Sequence, residues 1–174
     1  MSDDERPRPP AAADERTMLA GWLDWHRATL EVKCAGLGPA QLATRAVEPS
    51  GLTLLGLVRH MADVERAWFR RRLGAEDAPP LHYSDADPDG DFDNVDPATA
   101  DAATVEAAFA TWRAECARAR EIAAALPSLD VMVTDRAGRR LSARWVLHHM
   151  VEEYARHNGH ADLLRERIDG TTGE

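Results

Sequence analysis

Apolar residues recur three and four positions apart along four stretches of this chain, and Gly, Pro and Asp fill the intervals between them. The first stretch opens at Asp14, a residue suited to N-capping. It sets Leu19, Trp22, Leu23, His26 and Leu30 on one face before Gly36-Leu37-Gly38-Pro39 stops it. A connector over 36–52 leads to a second helix from Thr53 to Gly74. Leu57, His60, Met61, Val64 and Trp68 form its apolar side, with Arg59, Glu65, Arg66, Arg70 and Arg72 elsewhere. Gly56, one turn before His60, leaves room for something to approach that imidazole. Residues 75–96, rich in Asp and Pro, read as a long surface loop. A third helix from about Thr99 to Pro127 has a narrow, alanine-rich seam that suits close packing in a bundle. A short hairpin fits 128–141, where Val131 and Val133 alternate and Ala137-Gly138 marks a turn. Ser142 then caps a fourth helix that Gly170 ends. The pattern predicts an all-α fold, a four-helix bundle over residues 14–170 with a long loop between its second and third helices. Residues 1–13, charged and Pro-rich with little to bury, are expected to form a disordered arm.

A length of 174 residues suits one domain. The net charge of −9 argues against nucleic acid or an anionic membrane as partner, since both select basic surfaces. Lys33 is the sole lysine among 21 basic residues, a composition of GC-rich coding rather than of basic function. Cys34 and Cys116 are expected to pack as small apolar groups, and two cysteines without a secretory signal point to a reducing cytoplasm. No apolar run approaches the roughly 18 residues that a membrane span needs.

The fourth helix concentrates the chemistry, in Arg144 to Glu166. At roughly 100° per residue, with Glu153 at zero, His149 falls near −40°, His157 near +40° and His160 near −20°. All four share the stripe of Val146, Met150, Ala161 and Leu164. Ionisable groups in an apolar stripe are costly unless paired, and a bound cation is a natural partner. Glu153 and His157, one turn apart, can reach one divalent ion, and His60 supplies a third ligand if the second and fourth helices face each other. A His, Glu, His set leaves open positions for water or substrate. The same residues also fit a buried Glu–His hydrogen bond without metal. His149 and His160 flank the pair as alternative ligands, supports for the ligands or substrate contacts, while His148 points to solvent. Arg156 and Glu152 lie at the edge, where a surface ion pair is the simplest reading. His26 is either a core histidine or part of the site wall. His82 and Tyr83 belong either to a solvated loop or to a lid. The run from Asp85 to Asp96 lacks the closing Glu of a calcium loop.

Three blocks, WLDWHRATLEVKCAGLGPAQL, PSGLTLLGLVRHMADVERAWFRR and WVLHHMVEEYARHNGHADLLRERIDG, occur in order over Thr17 to Gly170. They resemble the DinB-like superfamily, in particular its domain-of-unknown-function 664 or mini-circle-protein-like branch. The resemblance implies a four-helix bundle holding zinc or nickel, with His60, Glu153 and His157 at the ligand positions. Its commonest version has His where this chain has Glu153; the carboxylate is similar instead to mycothiol-dependent maleylpyruvate isomerase. It further implies a low-molecular-weight thiol, mycothiol fitting the GC-rich composition, as cosubstrate of a transferase or isomerase acting on a small molecule. Arg59 or Arg156 would then meet an anionic substrate. Two other readings stand beside it: a hydrolase using metal-activated water, and a non-catalytic metal-containing binding or stress protein, dimeric through a helix face.

Overall fold

The computed structural model describes residues 6–173. Its elements are helices α1 (Glu15–Cys34), α2 (Pro39–Leu42) and α3 (Leu54–Glu65, continuing as a π-helix over Arg66–Leu73), then α4 (Gly90–Asp93) and α5 (Ala102–Ala125). A hairpin of β1 (Met132–Thr134) and β2 (Arg140–Ser142) precedes α6 (Ala143–Asp169). The fold is all-α apart from that antiparallel pair, in which Val133 faces Leu141. α1 packs along α6 and α3 along α5, while α3 also meets α6 and α1. No helix among the described residues is long and apolar enough to cross a membrane.

The ends of the long helices follow from local chemistry. Asp14, Thr53, Asp101 and Ser142 each accept a hydrogen bond from a backbone N–H of the first turn they precede. Gly170 closes α6 at φ 78°, a conformation in which a side chain would be strained. Residues 1–5 of the expected arm lie outside the described residues. Residues 6–13 carry no helix or strand and lie against α1: Arg6 sits over the Trp25 ring, and Pro10 occupies the space that a Cβ at Gly21 would need.

The centre of the bundle is polar, which the sequence pattern did not predict. Glu65, assigned to the polar side of its helix, is fully buried. Arg27 of α1 meets it with Nε and Nη2 at 2.8 and 2.9 Å, a bidentate pair. Tyr154 of α6 donates its hydroxyl to Glu65 at 2.7 Å, and Trp112 of α5 donates its indole N–H to Tyr154 at 2.9 Å. The Cys116 thiol lies 3.6 Å from both Glu65 and Tyr154. A lone carboxylate here would be prohibitive; paired with Arg27 and fed by a phenol, it becomes the point where four helices meet. Burial pushes the Cys34 thiol up to about 12 and raises that of Cys116 further, so both stay protonated at neutral pH and neither forms a disulfide.

Two further departures follow from packing. The second helix is not uniformly α: after Glu65 its turns widen. Met61, Glu65, Phe69 and Leu73, four apart, would drift around an α-helix of 3.6 residues per turn. The wider turn counters that drift and keeps Phe69 and Leu73 against the core. Trp22, expected on the buried face of α1, is 42 % exposed, because the core is reached by Leu19, Leu23 and Leu30.

Removing the carboxylate tests the network. Glu65→Ala strands the buried Arg27 charge and is expected to lower unfolding free energy by about 3–5 kcal/mol, read by urea denaturation. A loss below about 1 kcal/mol, the scale of an exposed pair, would contradict the role assigned to the buried pair.

Candidate metal centre

Neighbouring turns of the two helices joined by Glu65 and Tyr154 carry a cluster of candidate metal donors. His60 precedes Glu65 on α3, and Glu153 and His157 flank Tyr154 on α6. One donor atom each from His60, Glu153 and His157 lies within 4.8 Å of the others, and the His60 and His157 rings are 4.7 Å apart between centroids. His157 Nε2 is 3.4 Å from one Glu153 oxygen, and His149 Nε2 is 3.2 Å from the other. These side chains are half-buried rather than core: the inward stripe of α6 is Val146, Met150, Tyr154, Asn158 and Ala161, and the cluster occupies its flank. The hydrogen bond from His157 does most to hold the Glu153 carboxyl below its usual range. The electrostatic pull of His149, His157 and His60 in their protonated forms adds to it, and together these effects outweigh desolvation.

His60 and His157 are each oriented through their other nitrogen. His60 Nδ1 lies 2.7 Å from Asp91, a buried carboxylate of α4. An ionised carboxylate only accepts, so Nδ1–H donates and Nε2 keeps its lone pair. His157 Nδ1 faces His160 Nδ1 at 3.4 Å, leaving Nε2 toward Glu153. His149 is packed between two indoles, edge-on to Trp68 at 4.7 Å and stacked on Trp145 at 4.9 Å. The donor set of two imidazoles and one ionised carboxylate, with its spacing and the outward bonds that fix it, fits a divalent ion with open positions.

The remaining candidates fall elsewhere. His160 touches the cluster only through His157. His26 packs on α1 against Asn158, whose side-chain amide donates to the His26 carbonyl at 3.0 Å; burial lowers its pKa. Arg156 is exposed and pairs with Glu152, the surface ion pair expected there. His148 is exposed and bonded to the Arg144 carbonyl. Arg59 is spent on the loop, donating to the carbonyls of Asn94 and Gly90 at 2.8 and 3.0 Å.

Asp91 escaped the sequence reading because an Asp-rich loop reads as solvated. The loop is instead anchored: Ala78, Gly90, Asp91 and Val95 are buried, and Asp63 of α3 accepts from the backbone N–H groups of Leu81 and His82. Phe92 was the available signal, a large apolar residue amid aspartates. Its ring packs 5.4 Å from His60 and fills the gap left by Gly56, where a Cβ would meet it at 2.5 Å. A cavity of about 270 Å³ opens beside the cluster, walled by His60, Trp68, Arg72, Tyr83 and Asp91 among others.

A helical bundle with ionisable residues converging from two helices is the DinB-like architecture. The family model for mycothiol-S-transferase matches residues 18–170, and the chain belongs to that family. It is thereby placed among thiol-dependent S-transferases and isomerases. The crystal structure of a conserved protein from Enterococcus faecalis superposes on 92 % of this chain and 100 % of its own, with a TM-score of 0.71 and 14 % identity. At that identity the likeness concerns the fold. No curated protein matches the sequence.

Gly56→Ala probes the seating of the loop. Alanine favours a helix by about 1 kcal/mol, but overpacking against Phe92 costs about 1–3 kcal/mol. Amide exchange across 81–95 is expected to accelerate while α5 and α6 keep their protection; unchanged exchange in the loop would show that Gly56 is not needed for Phe92 to dock.

Proposed function

We propose that residues 14–170 form one DinB-like four-helix-bundle domain in which His60, Glu153 and His157 hold a single zinc or nickel ion. On this reading the protein transfers or isomerises a small electrophile with a low-molecular-weight thiol of the mycothiol type. The observation that carries the reading is the convergence of those three donors from two helices within 4.8 Å, in a chain of the mycothiol-S-transferase family. Three protein ligands are the number used by catalytic rather than structural zinc. The Glu153 carboxylate makes the set harder than three imidazoles, which suits nickel as well as zinc.

When bound, such an ion lowers the pKa of a thiol and so supplies thiolate near neutral pH. The protein's own groups prepare the place. Asp91 holds His60 in the tautomer whose Nε2 faces the cluster. His149, packed between Trp68 and Trp145, sets its Nε2 3.2 Å from one Glu153 oxygen and leaves the other toward His157. The adjacent cavity gives a small electrophile a seat against His60.

Elemental analysis of untagged protein incubated with zinc or nickel is expected to find one ion per chain. A His60→Ala, Glu153→Ala double variant should lose it without losing helicity. Asp91→Ala, measured by competition with a chromophoric chelator, should weaken zinc binding about 10- to 100-fold. Stoichiometry near zero in the unmutated protein would contradict the metal assignment, and full affinity in Asp91→Ala would remove Asp91 from it.

A further inference from the structure

The cavity beside the cluster contains a guanidinium that the fold does not neutralise. Arg27, Arg66, Arg70 and Arg165 each hold a carboxylate. Arg16 and Arg59 each hold two backbone carbonyls, although the Nε of Arg59 is also buried without an acceptor. Arg72 donates to one carbonyl, that of Ala67 at 2.9 Å. Its Nε is buried without an acceptor, and no carboxylate lies within ion-pair distance of it among the described residues. Asp135, whose charge it feels, is held by Arg139 and by the backbone N–H groups of Ala137 and Arg139. Burial, with Arg71 nearby, disfavours the charged form of Arg72, so the site carries an unmet demand for negative charge.

The geometry suits a ligand. The Arg72 guanidinium carbon lies 4.3 Å from the Trp68 ring centroid, a cation–π contact, and beyond the bond to Ala67 the Nη1 and Nη2 end keeps N–H groups for a ligand. Arg72, Trp68 and the Tyr83 hydroxyl share the cavity wall with His60. Neither carboxylate of that wall pairs with Arg72: Asp63 accepts from the N–H groups of Leu81 and His82, and Asp91 faces His60. The walls between these polar groups are apolar, from Val64, Ala67 and Pro88.

We infer that this cavity is a carboxylate-recognition site, with Arg72 stacked on Trp68 pairing with the acid group of a small, otherwise apolar substrate. Its placement as the electrophile's seat rests on the proposed function, but the binding itself requires neither metal nor thiol. A planar guanidinium takes a carboxylate through two parallel hydrogen bonds, a contact that a neutral amide of the same shape does not reproduce.

The test uses the metal-free full chain, benzoate as probe and benzamide as its neutral isostere, followed through the Trp68 indole N–H resonance assigned with Trp68→Phe. Benzoate is expected to shift that resonance saturably and benzamide to leave it in place. Arg72→Gln should weaken benzoate by at least about tenfold. Arg72→Lys keeps a charge without the fork or the stacking and should also weaken it, which carries the test if the glutamine variant does not fold. Absence of saturable benzoate binding, equal binding of benzamide, or unchanged affinity in either variant overturns the proposal. Zinc stoichiometry measured on the same preparations reports separately on the metal, so failure of one reading is distinguishable from failure of the other.

Discussion

The buried carboxylate of Glu65 is the constraint on which the rest of the molecule depends. An unpaired charge at that depth would cost several kcal/mol or more, so the fold must bring Arg27, Tyr154 and the Cys116 thiol to it, with Trp112 completing the chain of donors. These partners come from α1, α6 and α5, so satisfying one side chain sets the relative register of all four long helices. The consequence reaches the surface: Tyr154 lies beside Glu153, and His60 lies little more than a turn before Glu65. Fixing the Glu65–Tyr154 contact therefore also fixes which residues of α3 and α6 face one another at the cluster.

What was legible in the sequence was what a single helix determines by itself. The caps at Asp14, Ser142 and Gly170, the periodic apolar faces and the one-turn spacing of Glu153 and His157 are local, and the structure has them where the pattern put them. Proximity of His60 to that pair required only that two faces meet. Three features depend on partners distant in sequence and were not legible. Glu65 has the composition of a surface residue until Arg27 is placed opposite it. The π-helical turns after Glu65 arise from keeping Phe69 and Leu73 on a face that an ideal α-helix would rotate away. Asp91 lies in a run of aspartates that differ only in which one Phe92 draws inward.

The candidate centre is thus built in layers that the chain supplies from separate regions. The three clustered donors come from α3 and α6, and their orientation comes from the loop through Asp91 and from the indoles of Trp68 and Trp145. The long loop, too acidic and too proline-rich to look structural, is held by Asp63 and Arg59 and delivers the carboxylate that orients His60. The same wall carries Arg72, so the loop and the widened helix also line the cavity beside the cluster. Family membership names thiol chemistry, and the half-buried cluster lies beside that cavity.

The most direct measurement is X-ray absorption at the zinc edge of the zinc-loaded chain, before and after addition of mycothiol. A zinc ion held by His60, Glu153 and His157 and open to the thiol gives an initial shell of nitrogen and oxygen at about 2.0–2.2 Å, then a sulfur neighbour at about 2.3 Å once the thiol is present. A sulfur neighbour before any thiol is added, or an unchanged nitrogen and oxygen shell at saturating thiol, would contradict that arrangement.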